Sequence, residues 1–504
     1  MSKISRLLIL PALAACLAAG CTSRDALLRD VYTSRVDSYE RWLDVHRGET
    51  ESEARLKGKL SLEDALKLSL LHSKPLQAIL EEKEKARGTI VEAYGEVLPT
   101  VKIRGGYTRL DEVGVSSVGG REISLGSPHN YNASLEVTQP LYRGGAIGAA
   151  LKAARIFALL SDETVRAEVQ STIYNVAFAY YEVLLAQELH KVNVEAVELA
   201  KEFLDDVRKR VKGGVGTRFD ELRARVELSN FQAEEIQQRN KINRSTTLLL
   251  KEMGVSQDSE VVLSDELEHR AFEPNLEEAV KTAFEHRPDL YQRELNVRLQ
   301  REAVKIAISR YFPSFDAFFT HEWSNPNPHD QTDIDWGRAW NGGITLEWTL
   351  FDGLSREGKL IQERALLRQS VINLVDAEEN ATREIHAVVL SVEDAEAFYE
   401  SQKSNVELAE EGYRLVKLGR EGGVNTEVEV YDAQTALTRA KGFYYESVYS
   451  HTLARLEMER AMGTLGPPPG FRSRPEDIQL PKTIVPEAGK QTDVAPEEPQ
   501  SNEG

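Results

Sequence analysis

Apolar positions along this chain recur with two periods, and the period changes over twice in the same order. From Ser61 the spacing is helical, with Ser61 as N-cap and Glu63 and Asp64 in the first turn. Pro75 interrupts the pattern, a second helix runs from about Leu76 to Val97, and Pro99 stops it. The period then becomes two. Val101, Ile103 and Tyr107 alternate with Lys102, Arg104 and Thr108, and Tyr131, Ala133, Leu135 and Val137 alternate with Asn132, Ser134, Glu136 and Thr138. A Gly- and Ser-rich loop, about Asp111 to His129, separates these predicted strands. After Leu141 the helical period returns, with no proline before Pro274. The helix from about Ile147 to Val211 would measure roughly 100 Å at 1.5 Å per residue.

The second half does the same. Phe315, Ala317, Phe319 and Trp323 alternate with polar neighbours, as do Ile344, Leu346, Trp348 and Leu350. A proline-free stretch then runs from His329 to Gly466. Lys212-Gly213-Gly214-Val215-Gly216-Thr217 matches Glu421-Gly422-Gly423-Val424-Asn425-Thr426 at an offset of 209, where Leu141-Tyr142 also meets Leu350-Phe351 and Met253-Gly254 meets Met462-Gly463. Leu62-Glu63-Asp64-Ala65 matches Leu276-Glu277-Glu278-Ala279, and Pro99 matches Pro313, at 214. The chain therefore reads as one fold doubled internally, helix–strand–strand–helix twice. The lost residues belong in a loop between Pro313 and Leu350.

This gives five segments: residues 1–20, a signal peptide; 21–60, a linker without assigned function; 61–254, the first repeat, with strands near 100–109 and 130–139; 275–463, the second, with strands near 314–323 and 342–351; and 467–504, a disordered tail rich in Pro and Glu. The helix after the first Gly-rich turn carries a 4-3 stripe, Leu222, Val226, Ser229, Ala233, Ile236, Asn240, Asn243, Thr247 and Leu250. Its duplicate is Tyr431, Thr435, Thr438, Gly442, Tyr445, Tyr449, Thr452, Leu456 and Glu459. Small and polar seam residues suit helices packed side by side around a wet interior; the same spacing also fits an antiparallel coiled-coil rod.

Strands of about ten residues with one apolar and one polar face fit a membrane barrel, and they fit soluble hairpins as well. Four of the five Trp lie in or beside the second strand pair, where an interfacial girdle would put them. The N-terminus tips the balance towards membrane. Lys3 and Arg6 precede Leu7–Ala15, and Leu17-Ala18-Ala19-Gly20-Cys21 resembles the lipobox of bacterial lipoproteins, with lipid on Cys21; Leu13-Ala14-Ala15-Cys16 offers Cys16 as the alternative. Two Cys in all leave no internal disulfide in the mature chain.

Charge and composition narrow the function. With 62 Lys and Arg against 81 Asp and Glu, the formal charge is −19, which excludes a nucleic-acid partner. Mean hydropathy is −0.40, and beyond the N-terminal segment no run is apolar enough for a membrane helix. None of the ten His is spaced as in HExxH, and no Walker motif occurs, so neither enzymatic activity nor a cofactor is expected.

The order of these parts resembles the TolC-type outer-membrane efflux proteins. His286-Arg287-Pro288-Asp289-Leu290, Arg310-Tyr311-Phe312-Pro313-Ser314-Phe315 and Thr349-Leu350-Phe351-Asp352-Gly353 are similar to segments of that family, and the likeness spans about Ser61 to Gly463. The resemblance implies a mainly α fold with membrane β. In a homotrimer the long hairpins would form an α-barrel across the periplasm, and four strands per chain a shared 12-stranded β-barrel. Val428-Glu429-Val430-Tyr431-Asp432-Ala433 resembles the segment that rings the periplasmic aperture, making Glu429 and Asp432 the candidate gate. Arg420 and Asn425 stand where better-known members often carry a Tyr and an Arg that latch the closed state. Gly213, Gly214, Gly216 and Thr217, with Gly422, Gly423, Val424 and Thr426, would be the tips that meet a periplasmic adaptor. The function implied is the exit channel of a tripartite system, conducting drugs, toxic compounds or metals from an inner-membrane transporter. A type I protein-secretion channel and a lipid-anchored coiled-coil scaffold without a pore are the alternatives.

Overall fold

The computed structural model describes residues 24–46, 56–118, 121–330 and 333–468. The signal peptide, Cys16, Cys21 and residues 469–504 of the tail lie outside them. The chain runs α1 (Arg24–His46), β1 (Lys57–Leu60), α2 (Leu62–His72), α3 (Lys74–Gly95), β2 (Thr100–Arg109), β3 (Gly114–Val118), β4 (Arg121–Leu125), β5 (His129–Arg143), α4 (Ala146–Lys212), α5 (Arg218–Met253), β6 (Glu260–Leu263), α6 (Leu276–His286), α7 (Pro288–Ser309), β7 (Ser314–Asn325), β8 (Gly337–Glu347), α8 (Ser355–Glu421) and α9 (Glu427–Ala461). Part of the segment read as a linker is thus helix α1 and strand β1.

Helices α4 and α8 have 67 residues each, about 100 Å. They differ in how much of that length one chain covers. α4 buries 22 residues, whereas α8 buries eight. Ile361, Leu366, Ile372, Leu390, Leu408 and Leu415 of α8 remain exposed. The main core lies where α4, α5 and α9 meet the short elements. Tyr180, Val183 and Leu184 pack there with Leu249, Leu250, Met253 and Val448. Parallel strands β1 and β6 pair beside this core, joining segments two hundred residues apart. The Tyr180 hydroxyl lies 2.9 Å from both the Leu60 carbonyl and the Asp265 carboxylate, so the buried ring has its polar end satisfied.

The stripe read on α5 is not its internal seam. Ala224, Leu228 and Phe231 face α4, against Ala196, Val197, Ala200, Leu204 and Val207. Leu222, Val226 and Ile236 of the stripe are exposed. The α9 stripe, by contrast, is mostly half-buried, and Tyr445 and Tyr449 pack onto the main core.

Strands β2, β5, β7 and β8 form one antiparallel sheet in the order β2-β5-β7-β8. Val101 faces Val137, which faces Phe319; Ile103 faces Leu135; Ala317 faces Ile344 and Phe315 faces Leu346. Since alternate residues share a face, these make one apolar face, while Lys102, Arg104, Ser134, Glu136, Thr320 and Glu322 share the other. On the polar face Arg104 pairs with Glu136 at 3.2 Å and Arg143 with Asp316 at 2.8 Å. Aromatic rings gather at both ends of the strands. Tyr107, Tyr131 and Trp336 cluster at the outer end, and Tyr142 with Phe315 at the helical end.

The strand expected near 342–351 lies earlier, at Gly337–Glu347. Beyond Glu347 the backbone carbonyls have another partner: the Arg356 guanidinium donates to those of Thr349 (2.8 Å) and Leu350 (2.9 Å), and the Trp348 indole donates to the Tyr311 carbonyl (3.2 Å). That stretch therefore turns towards α8 instead of extending the ladder. The loop expected between the first two strands holds the β3–β4 hairpin, and β5 has 15 residues, longer than the pattern indicated.

The Arg-Pro-Asp-Leu segment works as a structural tie. Pro288 opens α7, where its missing N–H costs nothing. Arg287 grips both Asp289 oxygens (3.1 and 2.9 Å), Glu384 of α8 (2.7 Å) and the Ala461 carbonyl at the end of α9 (3.0 Å). Burial alone would raise the Asp289 carboxyl, but Arg287 outweighs it and holds the pKa below the usual value. Replacing Arg287 by Met is expected to cost about 2–3 kcal/mol. A carboxylate with a depressed folded-state pKa stabilises above its unfolded value and loses that contribution as pH falls. The gap between wild type and Arg287→Met should therefore narrow as the pH drops below about 4. Urea midpoints at pH 7 and pH 3.5 measure this, and an equal gap at both would refute the role of Asp289.

Candidate functional site

Each pair of long helices is joined by a five-residue tip built in one way. At the first, Gly214 has φ +77°, its N–H donates to the Val211 carbonyl (3.1 Å), and that of Val215 reaches back to Arg210 (3.1 Å). At the second, Gly423 has φ +78°, with Gly423 N–H to Arg420 (3.0 Å) and Val424 N–H to Gly419 (2.8 Å). A left-handed residue ends a helix by letting the next amides cap its last carbonyls, and glycine does so without steric penalty. The returning helix then starts with a capping box. The Thr217 N–H donates to Asp220 (3.0 Å) and the Asp220 N–H to the Thr217 hydroxyl (3.2 Å). Thr426 and Glu429 repeat this at 2.7 and 3.3 Å. Val215 and Val424 project from the two tips, 73% and 83% exposed, so apolar surface is displayed at the end of each hairpin.

Glu429 thus has a local task. Its Oε2 accepts from the Thr426 amide, the Thr426 hydroxyl and the Asn425 side chain. Those bonds, the backbone one foremost, hold its pKa below the ordinary carboxylate value. Asp432 lies three residues on, exposed, on the same helix face. Glu429 is thus engaged in the cap, whereas Asp432 stands outside it.

The structure brings together a cluster here that the sequence did not reveal. Arg420, at the end of α8, donates to Asp206 of α4 (3.1 Å) and Glu427 of α9 (3.4 Å), and its guanidinium lies over the Phe203 ring at 5.5 Å. Arg210 of α4 donates to the other Glu427 oxygen at 2.7 Å. Further along, Tyr431 donates to Glu227 of α5 (2.6 Å) and Lys441 pairs with Glu195 of α4 (2.9 Å). The second hairpin is thereby tied to the first close to the tips. Arg420 stood out in the sequence only as a departure from a familiar pattern; Asp206 and Arg210 gave no signal, because their partners are more than two hundred residues away.

Comparison with known proteins agrees with this architecture. The family model described as outer membrane efflux protein matches residues 65–255 and 279–464. The outer membrane protein TolC of Vibrio cholerae serotype O1 is 24% identical over 405 residues, covering 77% of this chain and 87% of that one. TolC of Escherichia coli K12 is 23% identical over 456 residues, covering 86% and 87%. Among solved structures, the CmeC outer membrane channel of Campylobacter jejuni superposes with a TM-score of 0.69 at 15% identity, over 80% of this chain and 85% of that one. The two matches lie in tandem and cover most of a chain built of long helical hairpins and a four-stranded sheet, and the family they define is one of outer-membrane channel proteins. The chain belongs to the outer membrane efflux protein family.

Proposed function

We propose that three copies of this chain form the exit channel of a tripartite efflux system, conducting small molecules passively from an inner-membrane pump and a periplasmic adaptor to the outside. The sheet carries this reading. Its apolar face is exposed, with Ile103 at 82% and Ile344 at 67%, and among the described residues of one chain its edge strands β2 and β8 have no outer partner. Free edges of ten and eleven residues invite aggregation unless paired. Ten residues span about 30 Å, the thickness of a hydrocarbon core. Eight strands from two chains would close on a side-chain-filled interior, whereas twelve from three leave room for a pore.

The same trimer accounts for the helices. The exposed α5 stripe and the uncovered flank of α8 would meet between neighbouring chains and close an α-barrel, and the matching tips and 67-residue helices support a duplicated origin. Cys21, or Cys16, would carry a lipid anchor in the outer membrane. Gly213, Gly214, Gly216 and Thr217, with Gly422, Gly423, Val424 and Thr426, would present the tips to the adaptor. Glu429 and Asp432 would place six carboxylates around the aperture and favour cations.

Asp432→Asn should lower the cation-over-anion permeability ratio in planar bilayers without moving the melting temperature, because Asp432 has no capping role. Glu429→Gln should change both. Unchanged selectivity in both variants would remove these residues from the gate. Photo-crosslinking in cells from positions 216 and 423, read by mass spectrometry, tests the partners. Capture of a drug- or metal-pump adaptor supports the reading. An adaptor encoded with an ABC transporter and a large secreted protein would favour type I secretion, and envelope scaffold proteins alone would refute the placement of the tips.

A further inference from the structure

Away from the tips and the sheet, three side chains from three elements converge beside the core. His269 comes from the segment between β6 and α6, Glu396 from α8 and His451 from α9. The Glu396 Oε2 lies 2.9 Å from His269 Nε2 and 2.9 Å from His451 Nε2, and all three donor atoms fall within 4.8 Å of one another. The two contacts differ in kind. His269 Nε2 hydrogen-bonds the carboxylate, whereas His451 Nε2 meets the same oxygen without hydrogen-bond geometry. His451 is fully buried, and among the described residues neither ring nitrogen has a hydrogen-bond partner. A buried imidazole with both nitrogens unpartnered is unfavourable, and a nitrogen 2.9 Å from a carboxylate oxygen outside hydrogen-bond geometry is placed to share a cation with it.

We propose that His269, Glu396 and His451 bind one divalent transition metal of the zinc class, with water as the fourth ligand, clipping the segment between the two repeats onto the second hairpin. Two imidazoles and a carboxylate form a ligand set suited to borderline ions rather than to magnesium or calcium. An ion with bonds of about 2.0–2.1 Å sets tetrahedral donors roughly 3.3 Å apart, so the two 2.9 Å spacings need only a small opening. His269 is held for this task by stacking on Tyr399, with ring centroids 3.7 Å apart and planes 5° from parallel. Arg455 is a positive charge beside this set, and its Nη1 donates to the Arg270 carbonyl. Glu396 is about one-third exposed, which gives a hydrated ion an entry path.

The test uses the untagged full-length protein in detergent, stripped with chelator, with Zn²⁺ as probe and Mg²⁺ as hard-ion control. Wild type should retain one zinc per chain after dialysis, and its melting midpoint should rise by a few degrees with Zn²⁺ but not with Mg²⁺. His269→Phe keeps a ring on Tyr399, and Glu396→Gln keeps the shape of the side chain. Each should melt near wild type without metal, bind zinc at least about tenfold more weakly and lose the zinc-induced rise. Zinc retention below one per chain in wild type, or an equal rise in wild type and both variants, would overturn the proposal. Should either variant melt well below wild type without metal, the zinc stoichiometry of the other decides, and full retention there overturns it too.

Discussion

Gly254→Ala is expected to destabilise the protein by about 2–5 kcal/mol, and Gly463→Ala by a similar amount. Both glycines end a helix in the left-handed region, with φ +72°. Both also lie against the backbone of the junction between two shorter helices. A Cβ at Gly254 would come within 2.2 Å of the His72 carbonyl oxygen, and one at Gly463 within 2.8 Å of the Arg287 backbone. Backbone cannot rotate away as a side chain can, so one of the packed helices must move. Gly214→Ala isolates the conformational part. Its φ is +77° but a Cβ there meets nothing within 4 Å, so about 1–2 kcal/mol is expected. Loss of helical circular dichroism in urea, compared among the three variants, is the measurement. If Gly254→Ala unfolds with Gly214→Ala, the close approach carries no energy and the helix junctions are looser than they look.

The second large effect concerns the sheet. Ile103→Arg and Ile344→Arg are expected to cost about 2–4 kcal/mol per site, and three times that per trimer, if these residues face lipid near the middle of the bilayer. In water the same exchange at positions 82% and 67% exposed should fall within about 0.5 kcal/mol of neutral. The gap between those figures is what decides. Arg104, one position along the same strand, shows that a guanidinium is accommodated on the polar face, where it pairs with Glu136. Heat-resistant trimers from the membrane fraction, quantified on gels, should be largely lost in both variants. Wild-type yields of trimer would mean that the apolar face does not meet lipid, leaving the scaffold reading in place of the channel.

The parts that were legible in the sequence share a physical basis: each rests on interactions within a few residues. Alternation marked three strands to within a few positions, and the absence of proline marked both 67-residue helices. Gly214, Thr217 and Asp220, and their counterparts Gly423, Thr426 and Glu429, announce their turns and caps because every bond in them spans six residues or fewer. Even the Met-Gly repeats stood out, though not the reason for them, since the His72 and Arg287 backbones against which they pack arrive from elsewhere in the chain.

Tertiary structure decided the rest. The pairing of β1 with β6 joins Lys57 to Glu260 and has no local signature. The extent of β8, Gly337–Glu347 instead of 342–351, differs from the pattern because Trp348 and Leu350 continue the alternation while Arg356, a few residues further on, takes the carbonyls that a strand would need. The α5 stripe looked like a seam, yet Phe231 and Ala224, off that stripe, meet α4 instead. The tie from Arg420 to Asp206 and the meeting of His269, Glu396 and His451 depend on which helix lies beside which. Periodicity says which face of an element is apolar. It does not say what that face, or a charge beside it, will meet, because that follows from how a hundred-ångström hairpin is laid against its twin.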